Sequence, residues 1–187
     1  MNNKKIVLVT TDHWTQWKDY SPHGEFLNIA LYLVKAYAPE VILEEWREDE
    51  SQKTIAAQIA DKTKVTGGWH NISPSPSLNL SWSNHFRNLD GLRLTEYGPV
   101  NLQTAREQHM LNRVQEAMVG AQTGLVIAGS AHHHSLAEKL TASGFCVDSF
   151  ALAGPSDALP DFLSSDWKWV DPTEFYSSVS SASSPGS

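Results

Sequence analysis

The sequence predicts an α/β protein: a mostly parallel β-sheet flanked by helices, with a long irregular insertion and a disordered C-terminal tail. Short continuous apolar runs alternate along the chain with segments in which apolar residues recur every three or four positions. Continuous apolar runs are typical of strands buried on both faces, and the three-to-four spacing is typical of amphipathic helices. Strands that alternate with helices favour a parallel sheet covered by helices.

The first part of the chain contains two strong strand signals and two helix signals. The predicted elements are, in order, a strand over residues 5–10, a helix between Pro22 and Pro39, a strand over 41–43, a helix over 51–64 and a weaker strand over 65–69. The first helix ends before Pro39, because a residue that precedes proline disfavours helical backbone. Ser51 can cap the second helix, and Ile55 and Ile59 lie on its inner face.

The second part begins with a segment of different composition. Residues 71–99 hold Pro74, Pro76 and Pro99 among many Ser and Asn residues, which predicts a long irregular insertion with a functional role. The elements predicted after it are a helix over 101–118, a strand over 124–128, a helix over 132–143 and a last strand within 145–152. The inner stripe of the 101–118 helix is predicted to be Leu102, Ala105, His109, Asn112, Val114 and Met118. Cys146 lies in the last strand and is expected to be a buried, inert thiol.

Two regions differ in their capacity to fold. Residues 1–155 are predicted to form a single α/β domain that contains the insertion. Residues 156–187 are predicted to be an extension whose Ser-rich end, residues 177–187, is disordered because it cannot bury a core.

Composition favours some classes of protein over others. The 187 residues include 14 Lys or Arg and 21 Asp or Glu, a net charge of −7, which argues against binding to a nucleic-acid backbone. The single cysteine allows no intrachain disulfide. No apolar run approaches the roughly 18 residues that a membrane span needs, and the apolar stretch Ile6–Val9 is too short for a signal peptide. We therefore expect a cytoplasmic protein with no membrane or nucleic-acid partner.

Residues suited to catalysis follow four of the predicted strands. His13 follows the first strand, Glu44 and Glu45 end the second, His70 follows the third, and His132 follows the strand over 124–128. The carboxyl ends of parallel strands meet at one edge of a sheet, where ligands bind. Successive side chains of a strand alternate, so only one of the two glutamates faces a given site. The alternative is structural: an imidazole at a strand end and a solvated acidic turn over residues 44–50.

His and carboxylate side chains together suit either of two chemistries. They can bind a divalent metal such as zinc or manganese, here through His13, Glu44 and His132, or one His can act as a general base. Arg106 can hold a carboxylate or an oxyanion.

Other residues near the predicted edge suit substrate binding or a surface position. His133 and His134 are predicted to lie on the surface, since His132–His134 point in different directions on a helix. Trp14, Trp46 and Trp69, with His70, are predicted to line a substrate pocket with apolar walls.

These motifs resemble a superfamily that includes erythromycin esterases, TraB/TIKI-type proteases and ChaN-type haem-binding proteins, along with small bacterial proteins of unassigned activity. Its hallmark is a pair of Gly-x-x-His turns. The second turn matches Gly129–His132, whereas residues 10–13, Thr-Thr-Asp-His, have Thr in place of Gly at the first. The segment with Arg106 and Glu107 resembles the Arg-Glu helix before the second turn. The resemblance spans residues 5–152 and implies a site built from His13, Glu44 or Glu45, Arg106 and His132.

Three functions are compatible with these observations. The leading hypothesis is a hydrolase of a small-molecule or peptide substrate, with water activated by His13 or by a metal, Arg106 stabilising negative charge and the insertion covering the site. His13→Ala is then expected to abolish activity without loss of fold. The alternative is a non-enzymatic protein that binds haem or a flat apolar ligand through His and Trp side chains. The third is a partner-binding protein whose site has decayed, as the altered first turn suggests.

Overall fold

A computed structural model of the chain describes residues 4–11, 16, 24–46, 53–74, 100–152, 168 and 170–180. The strands are β1 (Lys5–Thr11), β2 (Val41–Glu44), β3 (Trp69–Asn71), β4 (Thr123–Gly129) and β5 (Cys146–Ala151). The helices are α1 (Glu25–Tyr37), α2 (Ile55–Thr63), α3 (Val100–Ala117), α4 (His133–Ala142) and α5 (Pro172–Ser180), with a 3-10 turn over Ser130–His132.

The five strands form one parallel sheet in the order β3-β2-β4-β1-β5. The central strand β4 pairs with β1 on one side and with β2 on the other; Thr10 lies level with Ala128, and Glu44 with Ile127. The carboxyl ends of these three strands therefore meet at the same edge. The predicted α/β class and parallel sheet are confirmed.

Helices cover both faces of the sheet, and the alternation along each strand divides the core in two. On one face, Val7 and Val9 of β1 pack with residues of α1 and α2. On the other face, Ile6 and Leu8 pack with residues of α3 and α4. All four side chains are almost completely buried. Burial on both faces favours apolar side chains at successive positions, which explains the continuous apolar run Ile6–Val9 in this strand.

The third strand begins later than the sequence predicts. Residues 65–68 are predicted to begin the strand because Val65 is apolar. They instead belong to a turn over residues 64–68, in which Lys64 and Gly68 have φ of 53° and 71°. The Gly67 amide donates to the Glu40 carbonyl, and a β-carbon at Gly67 would lie 2.7 Å from that oxygen. Lys64, whose backbone is in the left-handed region, therefore ends α2. The two glycines form the turn that follows, so the strand begins only at Trp69.

The start of α2 also differs from the prediction. Thr54 is the N-cap, because its hydroxyl accepts a hydrogen bond from the Ala57 amide at 3.0 Å. Ser51, the predicted cap, lies outside the described residues. A threonine in this position satisfies one of the amides that a helix start leaves unpaired.

The buried face of α3 is different from the predicted stripe. Glu107, Met110, Leu111, Val114 and Met118 are buried, whereas the predicted inner residue Asn112 is exposed. These five follow helical spacing, and a carboxylate occupies the first position of an otherwise apolar row. The predicted inner residues Val114 and Met118 are confirmed as buried, whereas the prediction was wrong for Asn112 and left out Glu107, because it excluded an acidic residue from the core.

The last strand and the last helix also depart from expectation. Cys146 is exposed rather than buried, because it begins β5, an edge strand with incompletely covered faces. Helix α5 was not predicted, and it includes residues 177–180 of the predicted tail. The segment that leads into α5 is held against α1 by Asn28. The Asn28 side chain accepts a hydrogen bond from the Val170 amide at 2.8 Å and donates one to the Val170 carbonyl at 3.1 Å. Phe175 of α5 then joins the core.

Several predictions fall on residues that the structure does not describe. These are residues 75–99 of the predicted insertion and the tail from 181 onwards. Among the described residues, none of the helices combines the length and the apolar character that crossing a bilayer requires.

Candidate functional site

A cluster of charged side chains lies at the carboxyl ends of β2 and β4. Glu45 directly follows β2, and its amide donates to the Ile127 carbonyl at 2.8 Å, which keeps the chain extended beside β4. Because alternation continues through this residue, the Glu45 side chain points to the face covered by α3 and α4. It is 3% exposed.

Three donors surround the carboxylate of Glu45. One oxygen accepts from the Gly129 amide at 2.9 Å. The other lies 3.2 Å from Nη2 of Arg106 and 3.5 Å from Nε2 of His132. A backbone amide and two cationic side chains together favour the charged form of a carboxylate. The Glu45 carboxylate therefore connects the end of β2 to three other elements: the end of β4, helix α3 and the turn that precedes α4.

His132 lies between two carboxylates. Its Nε2 faces Glu45, and its Nδ1 is 3.2 Å from Oε1 of Glu107 on α3. Glu107 is 1% exposed and also accepts hydrogen bonds from Ser135 and, at 2.7 Å, from Lys139. Both ring nitrogens thus point at acceptors, which only the doubly protonated imidazolium can satisfy.

The electrostatics of the cluster support this protonation state. Burial alone would lower the pKa of His132, but the hydrogen bonds to Glu107 and Glu45 outweigh it and raise the pKa to about 9. Among the described residues, the cluster brings Arg106, His132 and Lys139 together with the carboxylates of Glu45 and Glu107.

Glu44 lies on the opposite face of the sheet. One of its oxygens accepts from the Thr54 hydroxyl at 2.5 Å and from the Trp69 indole at 2.8 Å, whereas the other, Oε1, has no hydrogen-bond partner among the residues that the structure describes. Burial raises the pKa of Glu44 to about 7, although the bonds from Thr54 and Trp69 act to lower it. Glu45, and not the predicted Glu44, is therefore the glutamate that contacts His132.

Of the remaining predicted site residues, the structure describes Trp46, Trp69 and His70. Trp46 is buried, and Trp69 is half-buried with its indole N–H directed to Glu44. His70 lies within β3 rather than after it, is exposed, and its Nε2 is 2.8 Å from the Gly67 carbonyl. His13 and Trp14 lie outside the described residues, so their predicted roles stay predictions.

The histidines that follow His132 differ in exposure, although their rings meet edge to face with centroids 5.1 Å apart. His134 is exposed, as predicted. His133 is half-buried, and its Nδ1 lies 2.9 Å from the Thr10 hydroxyl at the end of β1. Burial lowers the pKa of His133, and the neighbouring His134 lowers it further.

The two described members of the predicted metal site, Glu44 and His132, do not lie together. Across the described part of the chain, no three His, Cys, Asp or Glu side chains are arranged to hold an ion. The chemistry of His132 agrees, because a metal or a haem iron needs a nitrogen lone pair, and both nitrogens of His132 face carboxylates. Glu44, the second predicted ligand, is on the other face of the sheet.

Sequence reasoning missed three members of the cluster: Glu107, Ser135 and Lys139. The signal for Glu107 is its place in the apolar row that continues to Met110 and Leu111. Ser135 and Lys139 follow His132 at steps of three and four residues, which places all three on one face of the helix. A search for polar residues at core positions of helices would have found Glu107.

Comparison with protein-family models and with curated proteins finds no match to this chain. The resemblance to the esterase, protease and haem-binding superfamily therefore stays a prediction.

Proposed function

We propose that this chain is a hydrolase that cleaves an ester or amide bond in a small molecule or peptide. The observation that supports this proposal is the buried cluster of Glu45, Arg106, Glu107 and His132 at the carboxyl edge of the sheet. Burying charges is costly, and buried ion pairs add little to stability compared with apolar packing. Such clusters are concentrated at functional sites, and this edge is where parallel sheets bind their ligands.

In this proposal the cationic groups stabilise the negative charge that develops on the substrate. Attack of water on a carbonyl carbon moves charge onto the carbonyl oxygen. Arg106 is 14% exposed, so of the side chains that contact Glu45 it is better placed than His132, which is 4% exposed, to reach a bound molecule. Glu45 and Glu107 fix the two cations in place, which avoids reorganisation during the reaction.

The attacking water also needs a proton acceptor. His132 does not suit this role at neutral pH, because it already carries both ring protons when its pKa is about 9. The sequence predicts His13 for this role, and His13→Ala tests the prediction: the variant loses turnover without a change in the thermal unfolding transition if His13 is the base. Undiminished turnover in that variant would remove His13 from the mechanism.

The test is a panel of p-nitrophenyl esters and p-nitroanilide peptides at neutral pH. We expect turnover of at least one compound, and a fall in kcat of about 100-fold in Glu45→Gln, the size typical for loss of an electrostatic stabiliser. Glu116→Gln is the matched control, because Glu116 is an exposed carboxylate on α3 with one surface partner, Arg113. Equal rates in the two variants would refute the proposal.

A chelator separates this mechanism from the metal-assisted one. Because His132 faces carboxylates through both nitrogens, we expect activity to survive dialysis against EDTA. Loss of activity on dialysis, with recovery on adding zinc or manganese, would favour the metal-assisted mechanism instead.

A further inference from the structure

A second imidazole lies at the same edge of the sheet in a different environment. His133 begins α4, and its Nδ1 is held 2.9 Å from the hydroxyl of the fully buried Thr10. Within the described ranges, no carboxylate contacts His133, and its Nε2 has no hydrogen-bond partner. The ring is half-buried: Thr10 orients it through Nδ1, and part of the ring remains exposed to solvent.

The strand register places this imidazole beside the charged cluster. Thr10 lies level with Ala128, and Glu45 follows Glu44, which lies level with Ile127. Thr10 and Glu45 therefore flank Ala128 on the face covered by α3 and α4. With strands about 4.8 Å apart, their backbones are about 10 Å apart, a span that a small ester or amide can bridge.

We propose that His133 is the general base of this hydrolase, with Nε2 accepting a proton from the attacking water and Thr10 orienting the ring. The inference rests on the proposed function and deepens it, since it moves the role of base from His13 to a described residue. An imidazole without a carboxylate partner is largely neutral at neutral pH, and burial and His134 lower the pKa of His133 further.

The step conserves atoms and electrons. As the water oxygen bonds to the carbonyl carbon, one water proton moves to Nε2 of His133 and the carbonyl π pair moves onto oxygen. When the intermediate collapses, the bond to the leaving group breaks and the leaving atom takes the proton from Nε2. His133 returns to its neutral form, and the sum is substrate plus water giving an acid and an alcohol or amine.

Two matched pairs of variants test the assignment in the full chain. His133→Gln is expected to lower kcat about 100-fold with little change in KM, as for loss of a general base, whereas His109→Gln, which changes a half-buried histidine on α3 outside the cluster, has no such effect. Thr10→Val removes the hydroxyl and is expected to lower kcat, whereas Thr10→Ser retains it and the activity. Turnover that survives His133→Gln, while Glu45→Gln is inactive, would overturn the base role and leave the proposed function standing.

A measurement on the resting protein is independent of substrate. Nitrogen-15 NMR of the histidine rings is expected to show His133 as the tautomer protonated on Nδ1, with Nε2 unprotonated. In this tautomer Nδ1 donates a hydrogen bond to the hydroxyl of residue 10, both in the wild type and in Thr10→Ser. Thr10→Val is expected to shift this tautomer balance. A proton on Nε2 of the wild type would overturn the inference whatever the activity, and a wild type that hydrolyses no compound of the panel would overturn the proposed function and the base role together.

Discussion

Glu44 provides a quantitative test of the electrostatics, because its carboxyl group is fully buried with one oxygen unpartnered. Burial raises its pKa from 4.5 to about 7. A carboxyl whose pKa is higher in the folded than in the unfolded protein binds protons more strongly when folded. Its contribution is therefore fully present below about pH 4.5 and is lost as the pH rises through 7.

The size of this loss follows from the shift. Each pKa unit corresponds to about 1.4 kcal/mol, so the folded state loses about 3 kcal/mol between pH 4.5 and pH 8 from this one group. Glu44→Gln keeps an oxygen to accept from Thr54 and Trp69 but cannot ionise. The free energy of unfolding of the variant, relative to wild type, is expected to rise by about 3 kcal/mol over that pH range.

The assay is urea unfolding at half-unit pH steps, followed by tryptophan fluorescence and by circular dichroism. Glu116→Gln is the control, since its carboxylate is 64% exposed and its removal is expected to leave the pH dependence unchanged. Parallel curves for Glu44→Gln and wild type would refute the reasoning, because they would mean that Glu44 ionises equally easily in the folded and unfolded chain.

Three further predictions concern the packing of the cluster and of the last helix. Glu107→Gln is expected to lower the free energy of unfolding by about 3 kcal/mol in urea titrations at neutral pH, because it leaves the buried, protonated His132 and the partly exposed Lys139 without their shared carboxylate. Because the pKa of His132 is raised in the folded protein, protonation of this ring stabilises the fold. This contribution is fully present below about pH 6.5 and is lost as the pH rises through 9, so His132→Gln is expected to flatten the fall in stability over that range. Asn28→Ala removes both hydrogen bonds to the Val170 backbone and is expected to speed amide exchange in residues 172–180, measured by mass spectrometry.

The sheet was predictable because its signals are local. A continuous apolar run such as Ile6–Val9 has few structural alternatives, and β1, β2 and β4 lie where the sequence places them. Helix α5 was not predictable in this way, because its Ser-rich sequence has a weak periodic signal. Its observed position depends on distant contacts, with Asn28 on α1 and with the core around Phe175.

The site was predictable in outline only. Parallel topology correctly brings the ends of β2 and β4 together, so Glu45, Arg106 and His132 meet. The choice between Glu44 and Glu45 depends on which face of the sheet receives which helix. Alternation establishes that the two side chains diverge, but only the tertiary arrangement of α2 and α3 decides the face of each.

The two adjacent glutamates therefore provide a crossed test of the whole interpretation. Glu45 is surrounded by donors and belongs to the charged cluster, whereas Glu44 has two donors on one oxygen and none on the other. Glu45→Gln is expected to lower kcat about 100-fold while leaving the pH dependence of unfolding between pH 4.5 and 6.5, below the range in which the His132 contribution is lost, as in wild type. Glu44→Gln is expected to flatten that pH dependence with a smaller effect on kcat, measured on the same protein samples. A reversed result would place the reacting groups on the α1 and α2 side of the sheet, since strand alternation allows only one of these two side chains on each face.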